Sequence, residues 1–402
     1  MLSKESKFHS GKSLIVIDWG RGGHSSMYLE KIVTAVVSEC ERVLVFSQYE
    51  EELRAFVHTK LSNQENIQFG TVSRATGTSK WLPNRLSSRV AAWKYGLKIR
   101  KEICKRLGGL RDVTIFFPCL TDWESIYYHW FCAGLGLPWS ALIITFKGMR
   151  LEGADMSILR NFNERQCRGV LTLDENRTEW LAERMPGKTV GFLADVSETD
   201  WDPKSSLASD IRELAGKRKV VLLIGRLRPV KGVVNFARVA LKSGGDDLFF
   251  VLAGQLERED FMEEEQILLF DDFAKSEHCF LHPESLASES EYNAVFRLSS
   301  VVSIAYRNFG SSSNSLTKAA FFKIPVIVGQ GYLLEERIRE YDLGEVVDEH
   351  DPDSILAAVR NLTKEDFWET KPECERFREK FSNEAFTQHL RSFIISIFSA
   401  GR

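Results

Sequence analysis

Two stretches in the second half of the chain set cations, glycines and hydroxyls where an anion could be held. The first, VVLLIGRLRPVKGVVNFARVA (residues 220–240), runs from an apolar segment into Gly225-Arg226, through a short loop with Pro229, to Lys231-Gly232 at the start of an amphipathic stretch. Glycine at a strand end lets a phosphate approach the backbone. An arginine fork can grip two phosphate oxygens, and a lysine adds a mobile point charge. A helix amino terminus contributes partial positive charge. The same residues also fit an ordinary βα loop with two solvated cations. The second stretch, residues 303–347, carries Gly310, Ser311, Ser312, Ser313 and Asn314 ahead of a helical segment reaching Lys323. Successive backbone N–H groups and serine hydroxyls would fit an anion there. A plain helix N-cap, for which Ser and Asn are preferred, explains one or two of these residues but not the run.

In the first half, IDWGRGGHSSMYLEKIVTAV places Gly20, Gly22 and Gly23 after an apolar run, with His24 opening a helix. The spacing is not that of a dinucleotide-binding GxGxxG, so a nicotinamide cofactor is not expected. His24 reads as a general base or phosphate ligand, or as a polar residue at a helix start. ALIITFKGMRLEG puts Lys147 past another apolar run, where a cation could neutralise phosphate or simply face solvent. Asp122 and Glu124, in FFPCLTDWESIYYHW, could contact hydroxyls. The acidic run Glu257–Glu265 reads as a solvated face, and Asp351-Pro352-Asp353 as a helix N-cap; no metal motif is evident.

Elements that position these residues follow from hydrophobic patterning. Apolar runs at 14–18, 42–47, 113–117, 142–146, 170–173 and 190–193, then 220–224, 248–253, 301–305 and 324–328, are continuous rather than alternating. That implies parallel strands covered on both faces, and the amphipathic stretches between them imply doubly wound α/β units. The polar segment 194–219, with a proline and a serine pair, reads as a linker followed by a helix. The expectation is an α/β protein of two Rossmann-like domains, 1–205 and 206–380, with a helical segment at 381–402 that crosses back onto the first. At 402 residues the chain suits two domains.

From Arg85 to Arg111 the pattern reads as one helix with an apolar stripe of Leu86, Val90, Trp93, Leu97, Cys104 and Leu107. Around the stripe stand Arg89, Lys94, Lys98, Arg100, Lys101, Lys105 and Arg106, with Glu102 the single acid. Such a face is solvated, or rests peripherally on an anionic membrane, or attracts a phosphate-bearing acceptor. The net charge of −3 gives no global pull toward nucleic acid, so none is expected as a partner. Seven cysteines without a CxxC pair read as buried, reduced thiols in a cytoplasmic protein. The polar start, residues 1–12, lacks the apolar region of a secretory signal.

Taken together, GRLRPVKG (225–232), FFVLAGQ (249–255) and LTKAAFFKIPVIVGQGYLLEERI (316–338) resemble, in order and near their spacing, the C-terminal domain of the group 1 glycosyltransferases of GT-B fold. The resemblance covers residues 218–362 well and is weaker over 13–195. It implies a nucleotide-sugar donor with Arg226 and Lys231 on its diphosphate, Gly225 among the donor-binding residues, and Gly254 lining the nucleoside crevice. Ser312, Ser313, Asn314, Ser315 and Leu316 would cap the phosphates or sugar. Gly22, Gly23 and Asp122 would lie on the acceptor side, and His24 and Lys147 at the reacting centre. It implies no metal and no cofactor, most relatives retaining anomeric configuration. The family's paired glutamates fall at Gly310 and Lys318 here, so the chain resembles a branch with a Ser-rich loop instead. That departure keeps a second expectation open, a catalytically weak or inactive nucleotide-sugar-binding or partner-binding protein. A GT-B epimerase or phosphorylase ranks last.

Overall fold

The computed structural model describes residues 9–19, 24–48, 50–61, 65–72, 84–120, 126–144, 162–245, 247–261, 263–364, 367 and 372–399. The chain divides into two compact units, Met1–Leu193 with Glu384–Arg402, and Ala194–Asn383. The division falls after Leu193, ahead of the boundary expected near residue 205. In the contact division the chain from Glu384 onward, most of the last helix, counts with the first unit.

The first unit is built from β1 (His9–Asp18), α1 (His24–Val36), β2 (Cys40–Ser47), α2 (Glu50–Lys60), β3 (Ile67–Thr71), α3 (Asn84–Leu107), β4 (Val113–Leu120), α4 (Ile126–Leu135), β5 (Trp139–Ile143), β6 (Cys167–Thr172), α5 (Glu175–Arg184) and β7 (Thr189–Phe192). Its sheet has the order β3-β2-β1-β4-β5-β6-β7, with every pairing parallel. In the second unit α6 (Ser206–Ala215) precedes β8 (Lys219–Ile224), α7 (Val233–Ser243), β9 (Leu248–Ala253), α8 (Glu264–Lys275), β10 (Cys279–His282), α9 (Glu289–Phe296) and β11 (Val301–Ile304). Then come α10 (Asn314–Phe322), β12 (Val326–Gly329), α11 (Leu333–Tyr341), β13 (Gly344–Val347), α12 (Pro352–Leu362) and α13 (Pro372–Lys380). Its parallel sheet runs β10-β9-β8-β11-β12-β13. The last helix, α14 (Asn383–Ser399), packs Phe393 on Phe116 of β4 and Phe386 on Tyr28 of α1. Both sheets are doubly wound α/β, as the continuous apolar runs require: β5, β9, β11 and β12 are buried along their whole length.

The strands absent from the sequence reading are β3, β10 and β13, and all three are sheet edges. An edge strand is flanked on one side only, and most residues of β10 and β13 are half-buried, so their sequences lack the continuous apolar signal of central strands. Helix α3 ends at Leu107, and its buried side is Ala92, Ile99 and Ile103 rather than the expected stripe; Trp93 and Cys104 are exposed. The reason is α4, which crosses α3 so closely that a Cβ on Gly96 would lie 2.4 Å from the Phe131 carbonyl oxygen. That contact rotates a glycine face inward. All seven cysteines are free thiols. Burial raises Cys40 and Cys167 to about 12 and Cys279 to about 11.

Candidate functional site

In the second unit the strand order reverses between β8 and β11, and ligands of open α/β sheets bind beyond the carboxyl ends of strands at such a point. The two stretches singled out in the sequence are the chain segments that leave these two strands.

After β8, Gly225 takes φ +114° and its N–H donates to Ala253 O at 2.9 Å. Gly254, leaving β9 at φ +129°, packs so tightly that its Cβ would stand 1.9 Å from Gly225 O. Gly225 therefore needs glycine for its positive φ, and Gly254 for both its φ and this close backbone approach, whatever the ligand. Gly232 is the third: a Cβ there would meet Ala305 O at 2.5 Å, so the start of α7 rests directly on the end of β11. Arg307 N–H donates to Val230 O at 2.8 Å and fastens the two loops together.

Arg226 is half-exposed and its fork is engaged by Glu257, Nε at 3.1 Å from Oε1 and Nη2 closer. Arg228 approaches the other oxygen at 3.2 Å and Asp260 at 3.2 Å. Hydrogen bonds from Arg226, ahead of those from Arg228, hold the Glu257 carboxyl below the usual carboxylate range. Glu257 thus departs from the reading of its run as a solvated face, because the parallel pairing of β8 with β9 brings their trailing loops together. By contrast, Asp351 caps α12, accepting from Asp353 N–H at 2.9 Å, as expected.

Lys231 points to the other segment. Its ammonium stands 3.8 Å from the Tyr306 ring centroid and 5.9 Å from that of Phe309. Burial alone would raise the Tyr306 phenol. The Lys231 charge, with hydrogen bonds from Lys231, Ser315 and Ser313, overrides it and leaves the phenol below its ordinary value. Ser313 is the N-cap residue of α10 by position, yet its hydroxyl makes no capping bond. Its bond is with Tyr306 instead, so the plain N-cap reading does not account for this serine. Ser315 also bonds Tyr292, whose phenol burial pushes up; the Tyr292 oxygen would lie 3.9 Å from a Cβ on Gly225. Lys231, Tyr306, Ser313, Ser315, Tyr292 and Gly225 accordingly form one connected group.

The other expected donor residues are placed as follows. Ser312 Oγ accepts from Arg337 at 2.6 Å. Asn314 opens α10. Leu316 is fully buried and its N–H is taken by Ser313 O at 3.0 Å, so its part is packing. Gly310 has an ordinary backbone, with Tyr332 Cδ1 3.6 Å from a would-be Cβ. Lys318 is 1% exposed; its ammonium bonds the Glu289 carboxylate and Asn293 Oδ1 and lies 4.6 Å over the Tyr292 ring. Burial lowers the Lys318 pKa, and Glu289 opposes that. On α10 the chain thus carries a buried ammonium with a carboxylate facing it from α9. Gly22, Gly23, Asp122, Glu124 and Lys147 lie outside the described residues, as does the side chain of His24.

Tyr306, Tyr292 and Glu289 were missed by sequence reasoning. Tyr306 carried a signal, being an aromatic residue two places past a central strand end at the switch point. Tyr292 and Glu289 carried none, since α9 reaches the site only through packing.

Residues 207–385, within the second unit and the start of the last helix, match the family described as glycosyl transferases group 1. No curated protein sequence matches the chain. Among solved structures, HepE from Anabaena, crystallised with UDP and glucose, is similar at TM-score 0.66 and 12% identity over 96% of this chain and 100% of that one. Sucrose-phosphate synthase from Thermosynechococcus elongatus is similar at TM-score 0.65 and 13% identity, over 97% and 100%. A glycosyltransferase from Rickettsia africae is similar at TM-score 0.66 and 11% identity, over 97% and 98%. These likenesses establish the GT-B fold.

Proposed function

We propose, from the match of residues 207–385 to the group 1 glycosyltransferases, that the chain moves a sugar from a nucleotide-diphosphate donor to a hydroxyl acceptor. The observation that carries the reading is the convergence at the β8–β11 switch point. Tyr306 ties Lys231 to the amino terminus of α10 there, and Arg226, next to Gly225 and held on Glu257, is the second cation proposed for the diphosphate. The similarity of the fold to that of HepE, whose crystals hold UDP and glucose, supports a UDP-sugar as the first donor to test.

In the proposed step the bond between the anomeric carbon and the diphosphate oxygen breaks, and the acceptor oxygen forms the new bond on the same face. The acceptor proton passes to the departing diphosphate, and configuration is retained. Arg226 and Lys231 meet the charge on the leaving group, so the step calls for no metal and no protein nucleophile. For the diphosphate to take Arg226, it must displace Glu257. The acceptor side is assigned to the first unit, with Gly22, Gly23 and Asp122 as its candidates, and His24 and Lys147 are its candidates at the reacting centre. A lipid-linked or polysaccharide acceptor is the proposed class, and a cytoplasmic protein the proposed setting.

A second reading is favoured by Gly310 and the buried Lys318, which stand where the resemblance implies two carboxylates: a nucleotide-sugar-binding or partner-binding protein with little turnover. One experiment separates them. Isothermal titration with UDP, GDP and ADP identifies the nucleotide, and the matching donor sugars are then assayed for transfer and hydrolysis. Binding with turnover supports the enzyme, binding without turnover the second reading. Binding unchanged in R226A/K231A would dismiss the site.

A further inference from the structure

Helix α3 carries eight basic residues against one acid, Glu102, a surplus of seven positive charges in a chain of net charge −3. Two arginines are committed internally. Arg100 donates to the carbonyls of Leu135 and Gly136 at 2.7 and 3.2 Å, and Arg106 to Glu102 and the Phe69 carbonyl at 2.7 and 2.6 Å. The lysines are placed differently. Lys94, Lys98, Lys101 and Lys105 follow steps of four, three and four, so they share one line along the helix. That line is exposed and lies opposite Ala92, Ile99 and Ile103. Among the described residues none of the four has an ion-pair partner.

A solvated face would explain the lysines alone, but the same helix pair also exposes two indoles, Trp93 on the flank of α3 and Trp130 on α4. The backbones of α3 and α4 touch: a Cβ on Gly134 would lie 2.2 Å from the Trp93 carbonyl oxygen, and one on Gly96 2.4 Å from that of Phe131. Trp93 therefore sits at the crossing, and Trp130 directly precedes Phe131, the crossing residue of α4. The two indoles are 40% and 36% exposed. Indole, apolar in body with one polar N–H, is suited to the headgroup layer of a bilayer, and lysine is a compact point charge suited to a diffuse anionic surface. The lysine line extends about 16 Å along the helix, a straight edge that a plane can meet at all four points. No described helix is long and apolar enough to cross a membrane, so the contact is peripheral.

We propose that the α3–α4 face of the first unit docks on an anionic lipid bilayer, with Lys94, Lys98, Lys101 and Lys105 against the headgroup phosphates and Trp93 and Trp130 in the interfacial layer. This goes beyond the sugar-transfer reading and does not rest on it.

The test is flotation of the full chain with vesicles of phosphatidylcholine alone and of equal parts phosphatidylcholine and phosphatidylglycerol, at low and high salt. The expected result is capture by the anionic vesicles only, weakened by salt, with a blue-shifted tryptophan emission that W93F/W130F abolishes. Each lysine neutralised should weaken capture about fivefold, so K94Q/K98Q/K101Q/K105Q should lose on the order of several hundredfold. W93A/W130A should weaken it with the lysines intact. Melting temperature and the UDP response serve as controls, since these side chains lie outside the donor site. Absence of capture, equal capture by both vesicles, or capture unaltered in either variant would overturn the proposal. So would preferential capture by a DNA duplex or single strand that depends on the same lysines. Failure of UDP binding with vesicle capture intact would count against the transferase reading alone.

Discussion

The ammonium of Lys231 lies 3.8 Å from the centroid of the Tyr306 ring, and the phenol of that same ring bonds Ser313 and Ser315 at the start of α10. One buried side chain thereby joins a strand-end cation to a helix amino terminus. Y306F keeps the ring under Lys231 and removes the hydroxyl. It should fold, lose about 1 kcal/mol of stability, and bind UDP roughly three- to tenfold more weakly because Lys231 and the α10 terminus are no longer held together. Titration calorimetry alongside urea unfolding reads both quantities; a stability loss with unaltered UDP affinity would reduce Tyr306 to packing.

Arg226 and Glu257 give a pair of opposite signs. R226A removes a charge-assisted contact and should weaken diphosphate binding by roughly tenfold or more. E257Q removes the carboxylate that occupies the arginine fork, so it should leave affinity unchanged or raise it severalfold, most visibly at low salt. If E257Q weakens UDP binding as R226A does, Glu257 orients Arg226 rather than competing for it.

The Lys318–Glu289 pair should respond asymmetrically. Lys318 is buried, whereas the Glu289 side chain is 48% exposed. E289A strands an ammonium in the interior and should cost about 2–4 kcal/mol, while K318M leaves a carboxylate that water can reach and should cost less than about 1 kcal/mol. Chemical denaturation of both variants decides it, and equal losses would contradict the burial argument.

Glycines at the site divide into required and permissive positions. G254A combines φ +129° with a Cβ 1.9 Å from Gly225 O and should destabilise the second unit by about 3 kcal/mol or more. G310A and G310E face only an ordinary contact with Tyr332 and should melt within a few degrees of wild type. A folded G310E also places a carboxylate ahead of α10, and its donor turnover measures what a carboxylate there contributes.

Alkaline pH should loosen the fold through its buried thiols. Cys40 and Cys167 have folded values raised from 9.0 to about 12. Raised folded values mean that their contribution is complete below pH 9 and is lost as pH rises toward 12, at about 1.4 kcal/mol per thiol per pH unit. C40A and C167A should be less stable than wild type near neutrality, and the gap should narrow or close near pH 10. Urea unfolding at the two pH values checks this; a constant gap would mean that the thiols do not titrate in the unfolded chain as supposed.

What the sequence determined by itself was the alternation of buried strands with helices, two domains, and the paired segments at Gly225–Gly232 and Gly310–Leu316. Those features are local: a central parallel strand is apolar along its whole length, and a turn of glycines, hydroxyls and cations is written within a few residues. The edge strands β3, β10 and β13 were illegible because half-exposed strands lack that run. Which side of α3 faces inward depended on Gly96 meeting α4, a contact between segments that no periodicity within α3 encodes. Likewise Arg226 gave no hint of Glu257, nor Lys318 of Glu289, because those partners arrive from separate βα units. Sequence names the charged groups of the site, but only the tertiary structure decides which are engaged, since side-chain pairing is set by distances in space that chain separation does not record.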